Sequence, residues 1–308
     1  MINRVLIRIR VVQIAYAFSQ NDEHNFKKAE TELMHCLEKS YELYFHLLAL
    51  LVEVTNAYKK RITQRKSRFL ATSEDINPNL KLANNRFIAL LSESVHLKEF
   101  LEEKEFTWED HDIYVRNLLD RILDSNFYSD YAHQPEDSFE NDRDFWKQIF
   151  KHIICEDADL NELLEDESLY WNDDVEIVES FVLKTIKKST EGLADTELFL
   201  PMFKDMEDKD FAKQLLSYTI KNNQELKEII DQHTQNWESE RVALMDMVIM
   251  EIAVSELLAF PKIPVNVTLN EYIDIVKAYS TAKSAGFING VLDAIVQSLK
   301  KENRLNKA

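Results

Sequence analysis

The sequence predicts an all-α helical bundle, on three observations. Only 3 of its 308 residues are glycine and 5 are proline, too few for a sheet protein whose tight hairpin turns need glycine at positive φ. Apolar residues recur every three or four positions over long stretches, the period of an amphipathic helix rather than a strand. Apolar residues are 45% of the chain and aromatics 10%, which is enough to bury a core and argues against disorder despite the acidity.

The first helix carries Ile2, Val5, Leu6, Ile9, Val12, Gln13 and Tyr16 along one stripe, with Arg4, Arg8 and Arg10 nearby and no acid before Asp22. Its polar edge is cationic, either a solvated terminal face or a surface for anions. Residues 27–70 read as a long helix with Leu33, Leu37, Leu43, Leu47, Leu50 and Val54 at burial spacing. It ends in KKRITQRKSRFL, where 6 basic residues fall between Lys59 and Arg68. A solvated helix end and an anion-binding surface both fit such a run.

Asn77, Pro78 and Asn79 mark a loop. Helical spacing returns over Asn84 to Glu105, Asp110 to Asn126 and about 141–155, with Pro135 in a polar connector. From Glu156 to Glu179 there is no Lys or Arg, and Leu160, Leu163, Leu164, Leu169, Tyr170, Trp171 and Val175 are the anchors. Short helices with a solvated acidic face are expected there, a docking surface for a basic partner being the alternative. Gly192 follows KKST, where it can take the left-handed C′ position of a finished helix. After the connector around Pro201 the chain reads as helical from Phe211 to Lys301, with breaks near Asn236, Pro261 and Ser280. Within it, a helix over 239–260 has Val242, Met245, Ile249, Ile252, Ala253 and Leu257 as its buried stripe. A helix over 268–279 opens with Thr268 and Glu271 at capping-box spacing.

The formal charge of −18 and a pI near 4.9 make the whole surface repel polyanions, so any nucleic-acid contact needs a local basic patch. Cys36 and Cys155 are isolated, with neither disulfide-framework nor zinc-site spacing, and a reducing cytoplasm is expected. No signal-peptide pattern opens the chain, and no apolar run reaches the roughly 20 residues of a membrane span. Walker A, GxGxxG, GxSxG and HExxH patterns are absent. Two ExxH pairs, Glu32 with His35 and Glu93 with His96, have the spacing used in di-metal carboxylate bundles. With 8 histidines and abundant glutamate, chance supplies about one such pair, so neither a metal, a cofactor nor an enzyme is expected. Cys36 beside His35 is poorly placed for proton transfer, because adjacent helical residues point about 100° apart.

In KSAGFINGVLD, Gly286 and Gly290 lie four residues apart on one helical stripe. Each interior glycine costs about 1 kcal/mol relative to alanine, so the pair predicts a close approach of another helix. The stretches WESERVALMDMVIMEIAVSELL, PKIPVNVTLNEYIDIVKAY and KSAGFINGVLD, with RIRVVQIAY at the start, resemble the NusB transcription antitermination family in order and spacing. FAKQLLSYTIKNNQELKEII resembles the helix that precedes them. The resemblance covers roughly residues 1–20 and 210–300.

That resemblance implies a non-enzymatic, all-helical adaptor in the cytoplasm. It would bind boxA-like single-stranded RNA together with ribosomal protein NusE and act in the elongating RNA polymerase complex during rRNA transcription. By matching position, the RNA surface would comprise Arg4, Arg8, Gln13, Tyr16, Tyr279, Lys283, Ser284 and Phe287, with the first helix drawn in beside the two glycines. Asp246 would face NusE. The implied organisation is an N-terminal helical subdomain over 1–209, containing a family-atypical insertion at 21–209, and a C-terminal subdomain over 210–308. Val5 and Leu6 stand where the family has arginines, Gly286 where it has a Lys and Glu251 where it has an Arg. The basic run at 59–68 could supply the missing charge. A scaffold that has lost RNA binding is the alternative.

Overall fold

The computed structural model describes residues 1–21, 23–70, 72–234 and 243–305. Among these the regular structure is helical, and the one β-type pairing is a parallel bridge between Ile2 and Phe203. In chain order the helices are α1 (Arg4–Gln20), α2 (Phe26–Lys66), α3 (Ser73–Ile76), α4 (Arg86–Glu93), α5 (Val95–Glu102) and α6 (Asp112–Leu123). There follow α7 (Asn126–His133), α8 (Phe139–Ile149, running on into a π-turn at Phe150–Ile154), α9 (Ala158–Glu167), α10 (Val175–Lys188) and α11 (Asp195–Leu198). The last are α12 (Met206–Lys221), α13 (Asn223–Thr234), α14 (Leu244–Ala259), α15 (Val265–Tyr279) and α16 (Ala282–Lys301).

The described chain forms two compact units, Glu38–Met202 together with Met1, and Ile2–Leu37 with Phe203–Ala308. The boundary expected at 209/210 is therefore corrected. The first helix and the start of α2 belong with the C-terminal helices, because α1 packs directly on α12 and α14.

In the unit built on Glu38–Met202, α2 supplies Tyr44, Phe45, Leu47, Leu50 and Val54 to a core that also holds Phe87, Trp146 and Trp171. Two of the large buried side chains there are tied by hydrogen bonds: the Trp171 indole donates to the Lys39 carbonyl at 3.0 Å and the Tyr44 hydroxyl meets Thr185 at 2.6 Å. The acidic stretch folds as α9 and the approach to α10, anchored by Leu160, Leu164 and Trp171, whereas Leu169 is exposed. The helix expected over 84–105 is broken at Ser94, whose hydroxyl caps α5 by accepting from the Leu97 amide. Gly192 does have positive φ, at 75°. It does not cap α10, which closes at Ser189, but sits in the turn where the Leu193 amide donates to Thr190.

The other unit is organised around α14. Val248 through Leu257 are all buried, so this helix is enclosed on every side rather than along one stripe. Helices α12, α13, α15 and α16 pack around it with α1. Val242 and the start of the expected helix lie outside the described residues. Asn3 caps α1 by accepting from the Leu6 amide at 2.9 Å. Helix α15 begins three residues before the expected position, after Pro264, so Thr268 and Glu271 form no capping box.

Candidate nucleic-acid interface

An acid in the last turn of α14 organises the surroundings of α1. Glu256 has no exposed surface, and a carboxylate there must be paired and hydrogen-bonded. It receives two parallel bonds from the Arg8 guanidinium, at 2.8 and 2.9 Å. It also accepts from Thr268 Oγ1 at 2.9 Å and from the Tyr272 hydroxyl at 3.0 Å. Glu271 adds a contact to Arg8 at 3.3 Å. The two residues with capping-box spacing thus serve this network instead. Burial alone would lower the Arg8 pKa, but the bond and charge pairing with Glu256 hold it above its ordinary value. Burial drives the Tyr272 pKa far up, and the negative Glu256 adds to the shift.

This geometry corrects the phosphate role expected of Arg8, which is 2% exposed with its fork committed to carboxylates. Arg4 is half-buried: Nε donates to Asp208 at 2.9 Å and the guanidinium lies 5.1 Å from the centre of the Phe211 ring. Arg10 is also buried and donates to Gln13 at 2.7 Å. The cationic edge of α1 is thus largely turned inward.

The polar end of α1 meets the far end of the chain nonetheless. Gln13 donates through Nε2 to the Tyr279 hydroxyl at 3.2 Å. Tyr279 is the last residue of α15, and α16 opens immediately after it, with Thr281 capping the Ser284 amide at 3.2 Å. Ser284 also bonds Ser280 at 3.1 Å and Thr281 at 3.0 Å through its hydroxyl. Tyr16, Tyr279 and Phe287 are each half-buried, and Lys283 is exposed. The structure therefore joins α1, through Gln13, to the α15–α16 turn.

Two further expectations are corrected. Gly286 and Gly290 are exposed, and a Cβ built on either meets nothing within 4 Å, so no described helix crosses there. Asp246 is 4% exposed in the first turn of α14 and is not a surface acid. Among the described residues no group of three or more His, Cys, Asp or Glu is arranged to hold a metal ion. Glu93 and His96 fall on different helices, α4 and α5. Cys155 is shielded, and burial followed by the charge of Glu179 pushes its thiol up, out of the reactive range. No described helix is long and apolar enough to cross a membrane.

Sequence reasoning passed over Glu256, Thr268 and Tyr272 as a network. The available signal was an acid inside the apolar run EIAVSELLAF, since a fully buried Glu requires a partner.

The NusB family model matches residues 174–297. The transcription antitermination protein NusB of Salinibacter ruber is 40% identical over 132 residues, 41% of this chain and 82% of the relative. The chain belongs to the NusB family. The NusB protein of Desulfatibacillum aliphaticivorans is 38% identical over 120 residues, 39% of this chain and 84% of the relative. That of Chloroherpeton thalassium is 39% identical over 104 residues, 34% of this chain and 49% of the relative. No solved structure matches this chain. The NusB match takes in α10 and α11, which the sequence had placed in the insertion, and does not reach α1.

Proposed function

We propose that this chain is a transcription antitermination adaptor that holds boxA-like single-stranded RNA jointly with ribosomal protein NusE. In this reading it joins the elongating RNA polymerase complex and supports processive rRNA transcription. No residue acts catalytically.

The observation that carries the reading is the Gln13–Tyr279 bond, which links α1 to the turn bearing Lys283, Ser284 and Phe287. Unpaired bases stack on aromatic faces, at about 1–3 kcal/mol per base, and Tyr16, Tyr279 and Phe287 are rings of that kind. Lys283 meets phosphate, and Gln13 and Ser284 offer hydrogen bonds to base edges. Arg4 contributes only by exchanging Asp208 for phosphate, and Arg8 holds α1 in place. Gly286 and Gly290 leave open space beside Phe287, where a nucleotide backbone could approach without meeting a side chain.

A second reading, a protein-only scaffold, is favoured by the commitment of Arg4 and Arg8 to acids. Titration of a boxA RNA with the chain plus NusE separates the two. Binding that falls with salt and that Phe287→Ala weakens by about 1–3 kcal/mol supports the adaptor. NusE binding without RNA binding supports the scaffold.

A further inference from the structure

The basic end of α2 lies outside the family match and outside the surface just described. There the structure forms a groove of about 350 Å³ between α2 and α6, lined by Lys60, Arg61, Gln64, Arg65, Arg68 and Arg116 among others. Its only carboxylates are Asp112 and Asp120. Each is engaged, Asp120 with Arg61 and Asp112 with Arg116. Lys60, Arg65 and Arg68 are exposed and form no salt bridge among the described residues, although the Asp75 carboxylate is near enough to Arg68 and Arg65 to be stabilised by their charge. The groove therefore carries five cations against two anions, in a chain whose formal charge is −18.

Complementing the negative end of the helix dipole explains basic residues in the last turn, Arg65 and Lys66. It does not explain Lys60, more than a turn earlier, nor Arg116 on a separate helix. Arg61 and Arg65 are four residues apart and share a face. Arg68 follows where its amide closes back on the Arg65 carbonyl at 3.2 Å. Next to it stands Phe69, a fully exposed ring. Exposed cations along a recessed groove, followed in the chain by an exposed aromatic, are what a single-stranded backbone and one stacked base require.

We propose that this groove is a second, sequence-independent contact for single-stranded RNA, with Arg65 and Arg68 on phosphates and Phe69 stacking on a base. It rests on the reading of the chain as an RNA adaptor, which supplies the polyanion. RNA is favoured over an anionic lipid surface because the exposed cations line a recess that admits a strand, whereas a bilayer surface meets protruding charge.

The test is anisotropy titration of two labelled single-stranded RNAs of equal length and composition, one containing boxA and one scrambled, over a range of salt. Each phosphate contact to a single strand contributes a slope of about 0.7 in log K against log salt, which is about 5-fold at 0.1 M. Arg65→Ala/Arg68→Ala should therefore weaken both RNAs by about 25-fold at 0.1 M salt, flatten the slope by about 1.4, and leave the boxA preference unchanged. Arg65→Lys/Arg68→Lys should retain most of the affinity, which separates lost charge from lost fold. Unchanged affinity and slope in the alanine variant overturn the proposal, whatever Phe287→Ala does. Loss in the alanine variant with no effect of Phe287→Ala upholds the groove and rejects the boxA surface. Sedimentation with phosphatidylcholine–phosphatidylserine vesicles covers the competing occupant: vesicle binding lost in the alanine variant while RNA binding persists overturns the proposal in favour of lipid.

Discussion

Replacing Arg8 by Met tests whether that residue belongs to the core or to a phosphate surface. The substitution keeps a long apolar stem but leaves Glu256, which has no exposed surface, facing only neutral donors from Thr268 and Tyr272. Breaking a buried pair in this way costs about 3–5 kcal/mol. With m near 2 kcal/mol/M in urea, the midpoint of the transition that melts α1 with its partner helices should fall by about 1.5–2.5 M. Replacing both partners, Arg8→Met/Glu256→Met, removes the stranded charge; the Thr268 and Tyr272 hydroxyls then each lose their bond to Glu256, at about 1–3 kcal/mol apiece. The double variant should accordingly lose less stability than the two single ones summed, with a coupling of about 3 kcal/mol in the cycle. Urea denaturation followed by circular dichroism reads all four proteins. An unchanged midpoint for Arg8→Met, with RNA affinity reduced, would refute the core assignment and restore the phosphate role.

Two other outcomes follow from the same unit. Glu251 is 4% exposed and accepts from Asn223 at 2.8 Å; burial, reinforced by Asp231, pushes its pKa up to about 7. Its folded form holds the proton more tightly than the unfolded chain, so stability should be greatest below pH 4.5 as far as this group is concerned and decline by about 3 kcal/mol as pH rises to about 7. Glu251→Gln should flatten that decline, as seen in urea midpoints measured across the interval, and an unaltered pH profile counts against the buried neutral acid. Gly286→Ala and Gly290→Ala meet open space and should each raise stability by about 1 kcal/mol in thermal melts, whereas destabilisation would mean a neighbour packs against the stripe.

The periodicity of apolar residues foretold most helices because burial of a stripe is a local property of the sequence. Helix α2, expected over 27–70, is observed as Phe26–Lys66. What sequence spacing misread was decided by partners far along the chain. Thr268 and Glu271 have the spacing of a cap, but an arginine from α1 and a glutamate from α14 claim both side chains. The same partnership turned Arg8 from an apparent surface charge into a core residue. Gly286 and Gly290 were legible as unusual, yet the sequence could not reveal that the space beside them is open. Of the candidate site, the meeting of Gln13 with Tyr279 agrees with the expected joining of the first helix to the C-terminal turns, while the burial of Asp246 was invisible because helical spacing alone does not say which neighbours close over a residue.

The bond between Arg8 and Glu256 spans 248 positions of the chain. Ribosomes add about 5–20 residues per second, so about 12–50 s separate the emergence of these two side chains. Throughout that interval the nascent first helix has no carboxylate to receive its guanidinium and no α14 to cover its apolar stripe. The stretch from Glu38 to Met202 is complete before α14 is made and can fold earlier. Maturation of the unit that holds α1 therefore waits until α14 has been translated, and any chaperone that attends this protein should meet it at the apolar stripe of α1.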